Sequence, residues 1–207
     1  MGVEVVTIAM TTGARAEQIG RLVAEQLGFR HVNDEIIDRA AEQAGVTRQA
    51  VAEVEQSPTL ISRIMNSLAA GMAAEWSGRA LTRDEIDPSA SYRRLIQTVI
   101  REVAAQKQAV IVAHGASILL ADTPGVLRVL VTASPSTRAA RVAKESGRDE
   151  RQAKRDIERA DGERRAFFQR FYDLDQELET HYDVVINTDA LAPDTAARLI
   201  AYAAANA

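Results

Sequence analysis

Three stretches of the chain hold residue types that can do chemistry. The first is the turn Met10-Thr11-Thr12-Gly13-Ala14-Arg15-Ala16-Glu17-Gln18-Ile19-Gly20, between an apolar run and a helical pattern. Such a turn binds phosphate when glycines let backbone N–H groups converge on the anion. It also needs a lysine for the outer phosphates and a Ser/Thr hydroxyl for magnesium. Here Gly13 and Arg15 are present, but there is no Gly-Lys-Ser/Thr. Taken alone, the segment reads as an ordinary strand-to-helix turn that binds nothing. The second stretch is arginine-rich: Arg138 and Arg141 lie three apart, then come Asp161, Arg164 and Arg165, with Arg159 and Arg170 nearby. Guanidinium groups clamp phosphates bidentately and neutralise charge in phosphoryl transfer. A solvated helical face of acid–arginine pairs, with Asp149, Glu150, Glu158 and Glu163, is the alternative. The third is His114, beside Gly115 at a strand end with Ser117 following. Gly115-Ala116-Ser117-Ile118-Leu119 is not a Gly-x-Ser-x-Gly elbow. No second histidine or acid lies at metal-ligand spacing, so no metal site is expected. His31 and His181 read as structural or exposed.

The elements that must position these residues follow from hydrophobic periodicity. Apolar runs at Val3–Met10, His31–Asn33, Ala109–Ala113, Leu127–Thr132 and Asp183–Asn187 read as five strands. Between them lie helical patterns. Ala14–Leu27 carries Ile19, Leu22, Val23 and Leu27 and stops at Gly28; Asp34 caps a helix that ends at Gly45. Gly78–Ala90 reads as an exposed loop, followed by a long helix with Tyr92, Leu95, Ile96, Val99, Ile100 and Val103 on one face. Two arginine-rich helices cover Ser136–Phe171, and a last helix covers Pro193–Ala205. Buried strands alternating with amphipathic helices imply an α/β fold, a parallel sheet sandwiched by helices. Ligands of such sheets bind beyond the carboxyl ends of the strands. Those ends are Thr11–Arg15, Asp34, His114-Gly115 and Ala133–Thr137.

Composition excludes several classes of function. The chain has 207 residues, 46% hydrophobic and 26% charged, which suits a single globular domain with an insertion. A net charge of −4 does not suit general nucleic-acid binding. There are no cysteines, so disulfides, thiolate nucleophiles and Cys-ligated metals are excluded. No apolar run reaches the ~18–20 residues of a membrane span, and Met1–Met10 lacks the basic start of a signal peptide. A cytoplasmic protein without membrane contact is expected. The stripe Leu60, Ile61, Ile64, Met65, Leu68, Met72 and Trp76 must be buried in its own lobe or against a second copy, so a homodimer is expected.

Read in order, these segments resemble the cytidylate kinase-like family of P-loop proteins. "TIAM…IGRLVAEQLGF" looks like the family's first strand and helix, and "HVNDEIIDRAAEQAGV" is similar to its acceptor-side segment. "SLAAGMAAEW…YRRLIQTVIREVAAQKQAVIVAHGASILLAD" looks like its insert, long helix and third strand end. "VLRVLVTASPSTRAARVAKESG" and "DIERADGERRAFFQRFY" resemble the fourth strand and lid helices, and "YDVVINTDAL" the closing strand. The resemblance implies a P-loop kinase-type three-layer sandwich over residues 1–207, with strand order 2-3-1-4-5. It also implies an inserted helical monophosphate-binding-type lobe at about 34–90 and lid-type helices at about 136–172. The implied reaction is transfer of the γ-phosphoryl of ATP, with Mg²⁺, to a nucleoside monophosphate, CMP or dCMP. Arg138, Arg141, Asp161 and Arg164 would be catalytic; Gly13, Ala14 and Arg15 would meet phosphate; Asp34, His114 and Arg165 would bind the acceptor nucleotide.

The sequence departs from the family in three ways. Its loop is about two residues short, the Lys and hydroxyl are missing, and Ala113-His114-Gly115 replaces Gly-Arg-Gly. The expectation is therefore weak or lost transfer. The alternative is a pseudokinase serving as a nucleotide-sensing or protein-interaction module, and a kinase for a non-nucleotide metabolite is the third reading.

Overall fold

β-Branched and small apolar residues from Val5 to Met10 form the first strand, β1, and all but the last are buried, as a strand covered on both faces requires. The computed structural model describes residues 2–45, 47 and 88–207. It adds β2 (Arg30–Val32), β3 (Ala109–Val112), β4 (Val126–Thr132) and β5 (Val184–Asn187). They form one parallel sheet in the order β2-β3-β1-β4-β5, as expected from the sequence. The helices are α1 (Ala16–Leu27), α2 (Asp34–Ala44), α3 (Pro88–Ala105), α4 (Ala116–Leu119), α5 (Pro135–Ser146), α6 (Glu150–Tyr172) and α7 (Pro193–Asn206).

The chain divides into two compact units, 1–33 with 101–207, and 34–100. In the larger unit Ile19, Val23 and Ala24 of α1 share a core with Ala196, Ala197, Ile200 and Ala204 of α7. Both helices lie over Val6, Ile8, Val110, Val112, Val129 and Val131. Val5, Thr7, Ala9 and Ile111 point to the other face and are buried as well, so the sheet is the middle of three layers. Arg128 and Asp183 tie β4 to the start of β5 through bonds of 2.6–3.1 Å, and that guanidinium holds the Asp183 carboxyl below its ordinary range. In the smaller unit α2 buries Ile36, Ile37, Ala40 and Ala41 and ends at Gly45 in the left-handed region (φ 64°). Helix α3 has Ile96, Val99 and Ile100 buried. The Leu60–Trp76 stripe, and the dimer expectation with it, lies outside the described residues.

Several boundaries differ from the sequence reading. Strand β1 starts at Val5 instead of Val3, and α4 was not anticipated. Pro88–Ala90, read as loop, already belongs to α3; proline is at home in the first turn of a helix, where its missing N–H leaves no acceptor unpaired. Helix α1 begins at Ala16, not Ala14, because Arg15 adopts a left-handed backbone (φ 66°) that a helix cannot include.

Helix α1 lies very close to β3 at Gly20, where a Cβ would fall 2.6 Å from Val112 Cγ2. Alanine gains about 1 kcal/mol in helix propensity over glycine, but overpacking costs about 1–3 kcal/mol. Gly20→Ala is therefore expected to lower the melting temperature. Adding Val112→Ala should cost less in that background than in the wild type. A rise in melting temperature on Gly20→Ala alone would contradict this packing.

Candidate functional site

The turn after β1 closes on itself: the Ala14 N–H donates to Thr11 O at 3.0 Å. Gly13 (φ 82°) and Arg15 (φ 66°) are both left-handed, and the alternation with ordinary residues gives the kind of curl in which successive amides turn to one side. The carbonyls turn to the other side, and each finds a protein donor. Thr12 O accepts from Arg138 Nη1 at 3.3 Å, Gly13 O from Arg141 Nη1 at 3.3 Å, and Ala14 O from Thr188 Oγ1 at 3.2 Å. Arg15 O accepts the first intrahelical bond, from Ile19 N. Among the described residues, the amides of Thr12, Gly13 and Arg15 donate to nothing. The first N–H groups of α1 have no intrahelical acceptor either, and they carry the positive end of its dipole. The turn thus shows its donors outward and hides its acceptors.

Arg15 is exposed. It does not pair with Glu17. That carboxylate accepts from Arg21 at 3.1 Å and from Asn33 Nδ2 at 2.8 Å, with His31 Nε2 at 3.6 Å. Burial, then the charge of nearby Arg15, pushes the Arg141 guanidinium below its ordinary pKa.

Arg138 and Arg141 come from the first turns of α5, whose start is fixed by Pro135 and by the Ser134 hydroxyl accepting from Thr137 N at 3.4 Å. Asp189 accepts from Ser134 N at 2.8 Å, and this bond above all holds its carboxyl below the usual range. Arg138 is only 4% exposed and grips Asp161 of α6 bidentately at 2.9 and 2.7 Å. Arg164, one turn after Asp161, faces elsewhere. It binds Glu177 at 2.8 and 2.6 Å and lies over the Phe168 ring at 4.7 Å. The Tyr182 hydroxyl donates to the same carboxylate; burial, then that neighbouring charge, pushes its pKa well above the ordinary phenol value. Arg165 is exposed, with no hydrogen bond or ion pair among the described residues.

At the end of β3, Ala113, His114 and Gly115 are all left-handed, with φ of 69°, 56° and 67°. Such a run in non-glycine residues is strained and persists only where neighbours enforce it. Two do: the Tyr172 hydroxyl donates to His114 O at 3.1 Å, and His114 Nε2 lies 3.1 Å from Asn33 Oδ1. A Cβ on Gly115 would sit 2.5 Å from the Tyr172 ring, so only glycine fits. Asp34 opens α2 and belongs to the smaller unit.

The structure brings Gly13, Ala14, Arg15, Arg138, Arg141 and Asp161 together, and leaves Arg164 on a separate carboxylate. The sequence reading missed Thr188, Glu177, Tyr172 and Asn33. Thr188, Tyr172 and Asn33 act through Ala14 and His114, far along the chain, while Glu177 meets Arg164 from beyond the end of α6.

The donors around the turn do not fit a magnesium held by the protein. Such an ion keeps one or two protein oxygens. Thr11 Oγ1 donates to Thr132 Oγ1, Ala16 follows Arg15 where a hydroxyl would be needed, and Glu17 is taken. Among the described residues there is no group of three or more His, Asp or Glu able to hold a metal.

Comparison with known proteins agrees with this architecture. An uncharacterized protein of Eubacterium ventriosum is similar at 16% identity, with TM-score 0.67 over 97% of this chain and 98% of that one. Shikimate kinase of Bacteroides thetaiotaomicron is similar at 14% identity, with TM-score 0.54 over 97% of each chain. TT1252 of Thermus thermophilus is similar at 13% identity, with TM-score 0.51 over 99% and 98%. These likenesses establish the fold, a five-stranded parallel sheet with helices like that of the shikimate kinase. No curated protein matches the sequence. The sequence model of the cytidylate kinase-like family matches residues 5–190. On that match, which takes in all five strands, the turn and its braces, the chain belongs to the cytidylate kinase-like family.

Proposed function

We propose that this protein is a slow ATP-dependent kinase, taking the polyphosphate of ATP on the Thr11–Ala16 turn and passing the γ-phosphoryl to a nucleoside monophosphate, CMP or dCMP. One observation carries the reading: the carbonyls of the turn are occupied by protein donors, while its amides and the exposed Arg15 remain available to an anion. In the reaction an oxygen of the acceptor phosphate bonds to the γ-phosphorus as the bond to the β,γ-bridging oxygen breaks, and ADP leaves. Negative charge spreads over the transferred group, and amides, the α1 dipole and Arg15 meet it. His114 and Arg165 contribute on the acceptor side.

The rate is low because the cations that would complete the clamp are engaged. Arg138 and Arg141 hold the turn, and Arg164 holds Glu177. The same engagement favours a second reading, a pseudokinase that binds nucleotide as a signal.

A coupled assay with ATP and CMP, dCMP, UMP or AMP separates the two. The kinase reading expects turnover with CMP or dCMP well below the 1–100 s⁻¹ typical of kinases. ATP-dependent thermal stabilisation without turnover would establish the pseudokinase. Turnover within the typical range would refute the argument for slowness.

A further inference from the structure

Three donors converge on the carbonyl side of the turn: Arg138 and Arg141 of α5, and Thr188. Thr188 follows β5 and is 1% exposed. Its N–H donates to Thr132 O at 2.8 Å, which locks it to the end of β4. Its hydroxyl lies 3.2 Å from Ala14 O and 3.1 Å from Thr132 O, so one proton serves two carbonyls. The same oxygen accepts from Arg141 Nη1 at 3.0 Å, and Thr188 O accepts from Nη2 at 2.5 Å. Arg141 Nη1 also donates to Gly13 O at 3.3 Å. One side chain therefore holds one turn carbonyl directly and steadies the guanidinium that holds the carbonyl before it.

We propose that Thr188 is a positioning residue for phosphate binding, fixing Ala14 O and Arg141 so that the turn presents its amides outward before any anion arrives. The inference rests on the reading of the turn as a polyphosphate site. Buried as it is, Thr188 acts through its neighbours. Its value is preorganisation: if the Ala14–Arg15 peptide flipped, Ala14 O would face the phosphate and the Arg15 amide would be lost. Arg141 and Arg15 are close enough to repel, so an anion at Arg15 also relieves that repulsion.

The test uses the full chain as Thr188→Val, Thr188→Ser and Ile200→Val. The last is a core substitution on α7 that lowers stability and removes none of the turn's hydrogen bonds. Two quantities are read well below the melting temperature: hydrogen exchange at the Ala14 amide, and calorimetric affinity for ATP and for inorganic triphosphate. Thr188→Val is expected to speed Ala14 exchange and to weaken both affinities by about tenfold, the scale of one lost buried hydrogen bond. Thr188→Ser, which keeps the hydroxyl, should stay within about twofold of wild type on that scale. Ile200→Val should move neither quantity. If Thr188→Val does not fold, Arg141→Lys replaces it, since lysine keeps the charge but not the two-pronged contact. Unchanged exchange and affinity in Thr188→Val, or equal losses in Ile200→Val, overturn the positioning role while the phosphate site stands. A wild type that binds neither probe overturns the phosphate reading, and the positioning role falls with it.

Discussion

Replacing Gly13 by alanine is expected to lower stability by about 2–4 kcal/mol and to abolish ATP binding. Two costs add. At φ 82° a residue with a side chain costs about 1–2 kcal/mol in backbone strain. The new Cβ would also fall 2.9 Å from Arg138 O and 3.1 Å from Arg138 Cα, backbone atoms that cannot turn aside. The turn must then pull away from α5, breaking the bonds that Arg138 and Arg141 make to Thr12 O and Gly13 O. Gly28→Ala is the control. Its φ is 67° but nothing lies within 4 Å of its Cβ position, so it carries the strain without the clash. At about 2–4 °C per kcal/mol for a chain of this size, Gly13→Ala should melt several degrees below Gly28→Ala. Equal melting temperatures, with ATP binding retained, would mean the turn does not rest on Arg138.

Arg138→Met should be as damaging. The side chain is buried, and its removal leaves Asp161 without its bidentate partner and Thr12 O without a donor. Breaking a buried pair from one side costs about 3–5 kcal/mol, and the partial exposure of Asp161 puts this case near the lower end. The pair itself is not a strong net contributor, because Arg138 Nε is buried with no partner among the described residues. Arg138→Met combined with Asp161→Leu, which leaves no charge behind, is therefore expected to regain about 1–2 kcal/mol relative to Arg138→Met alone. Denaturant unfolding of the two single variants and the double closes the cycle. Strict additivity would show that Asp161 does not depend on Arg138.

The sheet was legible because its strands advertise themselves: "VVTIAM", "AVIV" and "VLRVLVT" are buried β-branched runs with helical patterns between them. Strand order came from the likeness to a family, since periodicity says nothing of which strands are neighbours. The start of α1 was misjudged because Arg15 is a good helix former placed in a left-handed conformation, which only the surrounding contacts select. The arginine spacing at 138 and 141 was visible, but not the direction of the guanidinium groups. They reach back to Thr12 O and Gly13 O, over 120 residues earlier in the chain. The role of Thr188 was invisible for the same reason, since Ala14 lies far back in the chain; Glu177 is near Arg164 in the chain but reads as a surface carboxylate until the segment after α6 folds back onto that helix.

Calorimetric titration of ATP into the wild type, Arg15→Lys and Arg15→Ala tests the central claim most directly, because among the described residues Arg15 is the one cation of the turn whose guanidinium makes no hydrogen bond or ion pair. The account predicts measurable binding by the wild type and a loss of about tenfold to a hundredfold in Arg15→Ala, the worth of a charge-assisted hydrogen bond. Arg15→Lys should fall between, and all three should melt alike, since Arg15 makes no hydrogen bond or ion pair among the described residues. An affinity for ATP that is the same in Arg15→Ala as in the wild type would contradict the claim that this turn receives the phosphates.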